Sequence, residues 1–133
     1  MKRAFLVSLL AVLNLVLVLQ AGSPQSKPPA AEIRGYFVIQ DDWNDTLAVE
    51  TKNITVLSEL VQMYRSGERK WVCGTVELYR NRWGFRLKPE TIFTGEVTAE
   101  ALQTTIRGVS DNMDYWLDST ACFSSIVVKI RYV

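Results

Sequence analysis

The segment from Trp71 to Leu87 constrains the fold more than any other part of the sequence. Two runs that alternate apolar and polar residues, Trp71–Tyr79 and Trp83–Leu87, flank the polar turn Arg80-Asn81-Arg82. Alternation on both sides of a short polar turn predicts an antiparallel β-hairpin, whose successive side chains point to opposite faces. The face predicted to be buried carries Val72, Val76, Leu78, Trp83, Phe85 and Leu87.

Similar patterns predict the remaining elements. Strands are expected at Ile33–Gln40, Thr46–Glu50, Ile92–Thr98 and Cys122–Val133, and a helix at Asn53–Gly67. The segment Ala99–Leu117 is expected to contain a second helix, better defined in its later part, with Gly108 at its start or at a break. The helices are predicted by apolar stripes at spacings of three and four residues: Ile54, Leu57, Leu60, Val61 and Tyr64 in the first, and Val109, Met113, Trp116 and Leu117 in the second. Asn53 or Thr55 can cap the first helix, and Gly67 stands where helices commonly end. The economical packing is an α+β fold, with a mostly antiparallel sheet of about five to six strands and two helices packed on one face.

The first 32 residues predict a leader and a linker that precede the domain. Lys2 and Arg3 begin an apolar run that ends at Leu19, and small residues follow, which is the layout of a secretory signal peptide. We assign residues 1–22 to the signal peptide, the Pro-, Ser- and Ala-rich residues 23–32 to a disordered linker, and residues 33–133 to a single α+β domain. The expected location is secreted or extracellular, or a periplasm-type space, with no stable membrane insertion after cleavage. A retained N-terminal membrane anchor is the alternative.

Composition excludes several kinds of chemistry. The chain has no histidine, which removes Ser-His-Asp and Cys-His catalysis and histidine-based metal sites. Without Lys2 and Arg3, the 15 basic residues become 13 against 14 acidic ones, a formal charge of −1. That balance gives no global field to attract nucleic acid. We expect no nucleic-acid partner, no cofactor and no metal.

The two cysteines, Cys73 and Cys122, are expected either to form a disulfide or to stay as buried free thiols. An exported chain permits the bridge. It would close a loop of about 50 residues and contribute roughly 4 kcal/mol on the chain-entropy model.

The outer face of the hairpin predicts a contact surface, which we name the outer strip: Tyr79, Arg80, Arg82 and Arg86, joined by Trp71. Guanidinium groups beside aromatic rings can stack on a sugar or bind a carboxylate or phosphate. The competing interpretation is an ordinary solvated strand surface, with Glu77 opposite an arginine as a cross-strand pair.

Other polar clusters are expected to be solvated surface. The turn Asp41–Asp45 holds Trp43 among three acids, but its spacing is not that of a calcium-binding loop. Asn44-Asp45-Thr46 and Asn53-Ile54-Thr55 have the form of N-glycosylation sites. Three further acids are expected on the wet side of the second helix: Asp111, Asp114 and Asp118.

Several segments together resemble a known family. They are "YFVI", "LSELVQMYRSG", "VCGTVELYRNRWGFRLKPETI" and "VSDNMDYWLDSTACFSSIVVKI". Their order is similar to that of the BP-seventy-four N-terminal-domain family, a small domain that also occurs alone in secreted microbial proteins. The resemblance implies the fold and export, and it supplies no catalytic residues. The family usually has Cys-Pro-Trp where this chain has Cys122-Phe123-Ser124. The family also usually has an acidic residue followed by a cysteine at the position near Glu100, where this chain has Ala101 or Leu102. If the family's disulfide uses that cysteine, the resemblance leaves Cys73 as a relocated partner for Cys122.

We therefore expect a small exported domain that acts by binding or adhesion and not as an enzyme, with an extracellular protein or a glycan as partner. The first alternative is a protease inhibitor, whose Arg80-Asn81-Arg82 turn would enter a trypsin-like pocket. The second is a hydrolase that uses carboxylates, which would need two acids converging on a cleft.

Overall fold

The computed structural model describes residues 33–132 and forms seven strands and three α-helices over that range. The strands are β1 Gly35–Asp41, β2 Thr46–Thr51, β3 Lys70–Leu78, β4 Phe85–Leu87, β5 Phe93–Gly95, β6 Gln103–Thr104 and β7 Thr120–Tyr132, and the helices are α1 Ile54–Ser66, α2 Ile106–Asp111 and α3 Met113–Trp116. The predicted signal peptide (1–22) and linker (23–32) lie outside the described residues. Within the described range, no helix has both the length and the apolar character that crossing a membrane requires.

The last strand, β7, lies at the centre of the sheet. Strands β1 and β3 pair antiparallel with its two edges, and Ser125 faces Asp41 on one side and Lys70 on the other. The order is β2-β1-β7-β3-β4, with β5 also paired to β3 and β6 paired parallel to β7. An α+β fold with a mostly antiparallel sheet is therefore confirmed, with seven strands in place of the predicted five to six.

The sheet curls nearly into a barrel, because its end strands β2 and β4 approach each other. The Trp83 indole N–H, just before β4, donates to the Thr46 carbonyl oxygen on β2 at 2.7 Å. Arg86 on β4 lies 3.8 Å from Glu50 on β2. Three helices occupy the place of the predicted two, and the packing of two helices on one face is not confirmed.

The core lies within this curl, and the hairpin face predicted to be buried belongs to it with one exception. The face residues Val72, Val76, Trp83, Phe85 and Leu87 are all buried. Leu78 is 69% exposed, so its prediction is wrong. It lies beyond the last β3–β7 pair, Thr75 with Thr120, where β7 no longer flanks the strand.

Helix α1 begins and ends where the sequence predicts, because its caps are local. The Asn53 side chain accepts hydrogen bonds from the backbone of Thr55 and Val56, and Gly67 adopts φ 73° and donates its N–H to Met63. The buried face is rotated around the helix from the predicted stripe: Val56, Leu57, Leu60 and Met63 are buried. Ile54 and Tyr64 are exposed. Ile54 lies about 120° around the helix from Leu60, and Tyr64 lies in the last turn.

The helix predicted within Ala99–Leu117 is present in the later part of that segment as two short helices, α2 and α3, and Gly108 lies inside α2 instead of at a start or a break. A 3₁₀ turn at Glu100–Leu102 and strand β6 precede α2, and Asn112 separates α2 from α3. Strand β6 pairs with Cys122 and Phe123 of β7. This pairing keeps the backbone of Gln103–Thr104 extended within the segment predicted to contain the helix. The predicted strand Ile92–Thr98 likewise shortens to the three residues of β5, and Leu117 from the predicted stripe is exposed.

A one-residue bulge interrupts β7 at Val128. Val38 of β1 pairs with Lys129, whereas the next residue, Ile39, pairs with Val127. The extra residue changes which side of the strand faces the core. Val127, on one side of the bulge, is therefore buried, and Ile130, on the other side, packs against the same core.

Cys73 and Cys122 are directly opposite each other on β3 and β7, and their sulfur atoms are bonded at 2.12 Å. Both cysteines are buried, and the Thr98 hydroxyl donates to the Cys122 sulfur at 3.3 Å. Of the two predicted states, the disulfide is therefore the one in the structure.

Replacing both Cys73 and Cys122 with serine is expected to lower the free energy of unfolding by about 2–4 kcal/mol, because the unfolded chain regains the freedom of the closed loop. Urea unfolding followed by fluorescence measures this loss. Intact mass after alkylation is the control: the unchanged protein should take up alkylating agent only after reduction. Full alkylation without reductant would contradict the bridge.

Candidate functional site

The outer strip does not form one continuous surface. Trp71 lies near the start of β3 and Tyr79 follows its end. Eight residues of extended strand separate them, which at 3.3 Å per residue amounts to about 26 Å. Trp71 therefore lies too far from Tyr79 for both to contact one small ligand.

Arg86 from the outer strip is engaged within the protein. Its Nε donates to the Glu77 carboxylate at 2.7 Å, and its guanidinium carbon lies 4.5 Å from the centre of the Tyr79 ring. Glu77 and Arg86 are direct cross-strand partners. Together with Glu50 on β2, these contacts make Arg86 a tie between β2, β3 and β4.

The Arg80-Asn81-Arg82 turn is exposed, and Asn81 fixes its shape. The Asn81 side-chain oxygen accepts from the backbone of Trp83 and Gly84 at 3.0 and 2.8 Å, and its amide donates to the Phe85 carbonyl at 2.7 Å. The Arg82 guanidinium lies 4.5 Å from the centre of the Trp83 ring. Arg80 is exposed at the tip.

A surface depression of about 610 Å³ lies along the seam between β2 and β4. It is lined by Arg34, Glu50, Lys52, Asn53, Arg86, Pro89 and Glu90. Its charges meet within the protein: Glu50 lies 3.3 Å from Arg34 and 3.8 Å from Arg86. This depression is therefore best explained as the ion-paired closure of the curled sheet.

A second depression, of about 500 Å³, lies between the β1–β2 turn and α2, and we name it the Trp43 depression. Its lining comprises Trp43, Asp45, Thr105, Arg107, Gly108 and Asp111. Trp43 is 73% exposed, so most of its indole is open to solvent. An exposed aromatic ring beside charged groups of both signs makes this depression a candidate site for a small ligand.

The charged groups of the Trp43 depression are only partly satisfied by one another. Arg107 donates to Asp45 Oδ1 at 3.1 Å, whereas Asp45 Oδ2 is buried and has no hydrogen-bond partner in the described part of the chain. The Arg107 guanidinium also lies 5.3 Å from the Trp83 ring centre. Asp111 adds a second carboxylate. Among residues 33–132, no group of three or more Asp, Glu, Cys or His side chains is placed to hold a metal ion.

The buried carboxylate of Asp41 holds this site together. It is 2% exposed, and its Oδ1 accepts from the backbone N–H groups of Trp43 and Asp45 at 2.9 and 3.1 Å. Its Oδ2 accepts from the backbone N–H of Ile106, the first residue of α2, at 2.9 Å. One side chain thus joins the turn to a helix that begins 65 residues later.

Sequence reasoning missed this site. It treats Asp41–Asp45 as a solvated turn and Asp111 as part of a wet helix face, and both segments do carry exposed residues. The pairing of Asp41 with Ile106 brings Asp45 and Asp111 to one depression, while Asp114 and Asp118 are not part of its lining. The sequence feature that could have indicated this site is Trp43, a large apolar ring in an otherwise acidic turn.

Comparison of the chain with family models, with curated proteins and with solved structures finds no match. The resemblance to the BP-seventy-four N-terminal-domain family, and what it implies, therefore stays a prediction. The candidate site depends on the geometry of this chain's own residues.

Asp41→Asn is expected to lower the free energy of unfolding by about 1–3 kcal/mol. Both carboxylate oxygens accept hydrogen bonds from backbone N–H groups, and the substitution replaces one of these oxygens with an NH2 group, which cannot accept. Urea unfolding measures the loss. Asp42→Asn is the matched control, since Asp42 is exposed and pairs with Arg69 at the surface, where such pairs contribute about 0–1 kcal/mol. Equal stability of the two variants would contradict the role given to Asp41.

Arg86→Ala is expected to destabilise the domain by about 1–2 kcal/mol, through lost packing on Tyr79 and a partly buried Glu77 left without its partner. Arg80→Ala should change stability by less than about 0.5 kcal/mol, as is usual at exposed positions. Thermal unfolding of the two variants side by side decides this. A loss of stability in Arg86→Ala no larger than that in Arg80→Ala would contradict the role given to Arg86.

Proposed function

We propose that this chain is an exported binding domain that holds an extracellular ligand at the Trp43 depression and does not transform it. One observation carries the proposal: an indole that is 73% exposed stands on a turn whose backbone is fixed by the Asp41 carboxylate. A buried tryptophan side chain removes roughly 150–250 Å² of surface from contact with water. A ligand that covers this ring gains that burial, and a turn that is already ordered loses little further entropy on binding.

Export is supported by the bridged pair Cys73–Cys122, because disulfides persist in oxidising compartments. It agrees with the signal peptide that the sequence predicts at residues 1–22. An N-terminal anchor would also present the domain outside the cell, and the proposed binding function is the same in either case.

The outer strip is not part of the lining of the Trp43 depression. Arg82 lies against the Trp83 ring, 4.5 Å from its centre, and Arg86 has its partners within the sheet. The proposed site is therefore separate from the contact surface that the sequence predicts.

A carboxylate-dependent hydrolase is the second candidate function. Asp45 and Asp111 line one depression, and two carboxylates across a cleft are what glycoside hydrolysis requires. Binding is favoured over hydrolysis because Asp45 is held by Arg107 on one oxygen and is buried on the other. Neither oxygen is then presented to a reacting bond.

A protease inhibitor is supported by a separate surface, the turn that Asn81 fixes with Arg80 exposed at its tip. Titration of trypsin with the purified protein tests this candidate. Inhibition that Arg80→Ala removes and Trp43→Ala leaves intact would favour it over the proposed function.

Trp43→Ala is expected to lower the affinity of the purified, disulfide-bonded protein for cell-surface material of its native host by at least about tenfold, equivalent to 1.4 kcal/mol. Fluorescently labelled protein is added to washed cells, and saturable retention is measured. Tyr115→Ala is the matched control, because Tyr115 is a 69% exposed aromatic residue outside the depression lining.

Equal retention of Trp43→Ala and the unchanged protein would overturn the proposed site. Release of reducing ends from the same material, lost in Asp111→Asn, would replace binding with hydrolysis as the function.

A further inference from the structure

We infer that the ligand of the Trp43 depression is a saccharide, and that its sugar units are neutral or carry an amine and are not acidic. This inference rests on the proposed binding function and names its ligand class. It follows from three properties of the depression: an open aromatic face, a mixture of donors and acceptors, and a surplus of negative charge.

The aromatic face is suited to a sugar ring. The C–H groups on one side of a pyranose form a flat apolar patch with slight positive charge, and the face of an indole is electron-rich. Trp43 offers such a face with 73% of the residue exposed. A depression of about 500 Å³ is within the usual size range of small-ligand sites.

The polar lining provides what sugar hydroxyls need, because each hydroxyl both donates and accepts. Asp111 is an acceptor and Arg107 a donor. The Thr105 hydroxyl oxygen accepts from the Gly108 backbone at 2.9 Å, which leaves its hydrogen available to a ligand.

Charge selects among saccharides. The lining holds two carboxylates and one guanidinium, and the guanidinium is paired with Asp45. The surplus carboxylate, Asp111, would repel a uronic acid. An amino sugar would instead place its ammonium group near Asp111 and over the Trp43 ring, where a cation–π contact adds to the attraction.

The test is a nuclear magnetic resonance titration that follows the indole N–H signals of the four tryptophans. The protein is produced in a bacterial periplasm, so that the disulfide forms and Asn44, next to Trp43, carries no glycan. The probes at millimolar concentration are cellotriose, chitotriose, the glucosamine trimer and trigalacturonate. Trp43→Phe assigns the Trp43 signal.

The expected result is a saturable shift of the Trp43 signal with at least one neutral or amino trisaccharide and none with trigalacturonate. Asp111→Asn should weaken the glucosamine trimer at least about tenfold, whereas Asp114→Asn, the matched exposed acid outside the lining, should leave its affinity unchanged.

Tighter binding of trigalacturonate than of the other probes would overturn the inference, and so would the absence of any shift with the three neutral and amino probes. If cell-surface retention still depends on Trp43 in that case, the proposed binding function stands and only the ligand class is wrong. If retention is also independent of Trp43, both fail.

Discussion

Every strand of the sheet is positioned by the hydrogen bonds of β7, either directly or through one neighbour. Strands β1, β3 and β6 pair with it, β2 follows β1, and β4 and β5 follow β3. The Cys73–Cys122 bridge joins β3 to β7 at directly opposed residues, where a slip of one residue would exchange the two faces of the strand. Because β7 pairs with β1 and β3, which lie far from it along the chain, the sheet depends on long-range contacts.

Those elements whose causes lie within a few residues could be predicted from the sequence. Helix α1 is bounded by Asn53 and Gly67, which act on neighbouring backbone, and the hairpin of β3 and β4 is set by its own alternation and turn. The errors arise where β7 acts from a distance. Pairing with β7 holds Gln103–Thr104 as a strand within the segment predicted to contain the second helix. The bulge at Val128 changes which residues of β7 face the core where β7 pairs with β1. No local pattern contains that information.

The candidate site could not be predicted from the sequence for the same reason, because it depends on contacts between residues that are distant in the chain. The residues of the outer strip could be named, but their spacing along β3 separates Trp71 from Tyr79, and Arg86 finds Glu50 on a strand that the hairpin pattern does not include. The Trp43 depression exists because one carboxylate, Asp41, accepts hydrogen bonds from its own turn and from Ile106. A sequence shows an acidic turn there, and it does not show which distant N–H the acid accepts from.

The two depressions show how the same residue types acquire different roles. At the seam, Arg34, Arg86 and Glu50 meet one another, and their charges serve to close the sheet between β2 and β4. At the Trp43 depression, the closing contact is made behind the surface by the Asp41 carboxylate, which joins the turn to Ile106. Trp43 and Asp111 are then not needed for closure, and both remain exposed. The proposed ligand would complete the burial of this ring, which the fold orders but does not cover.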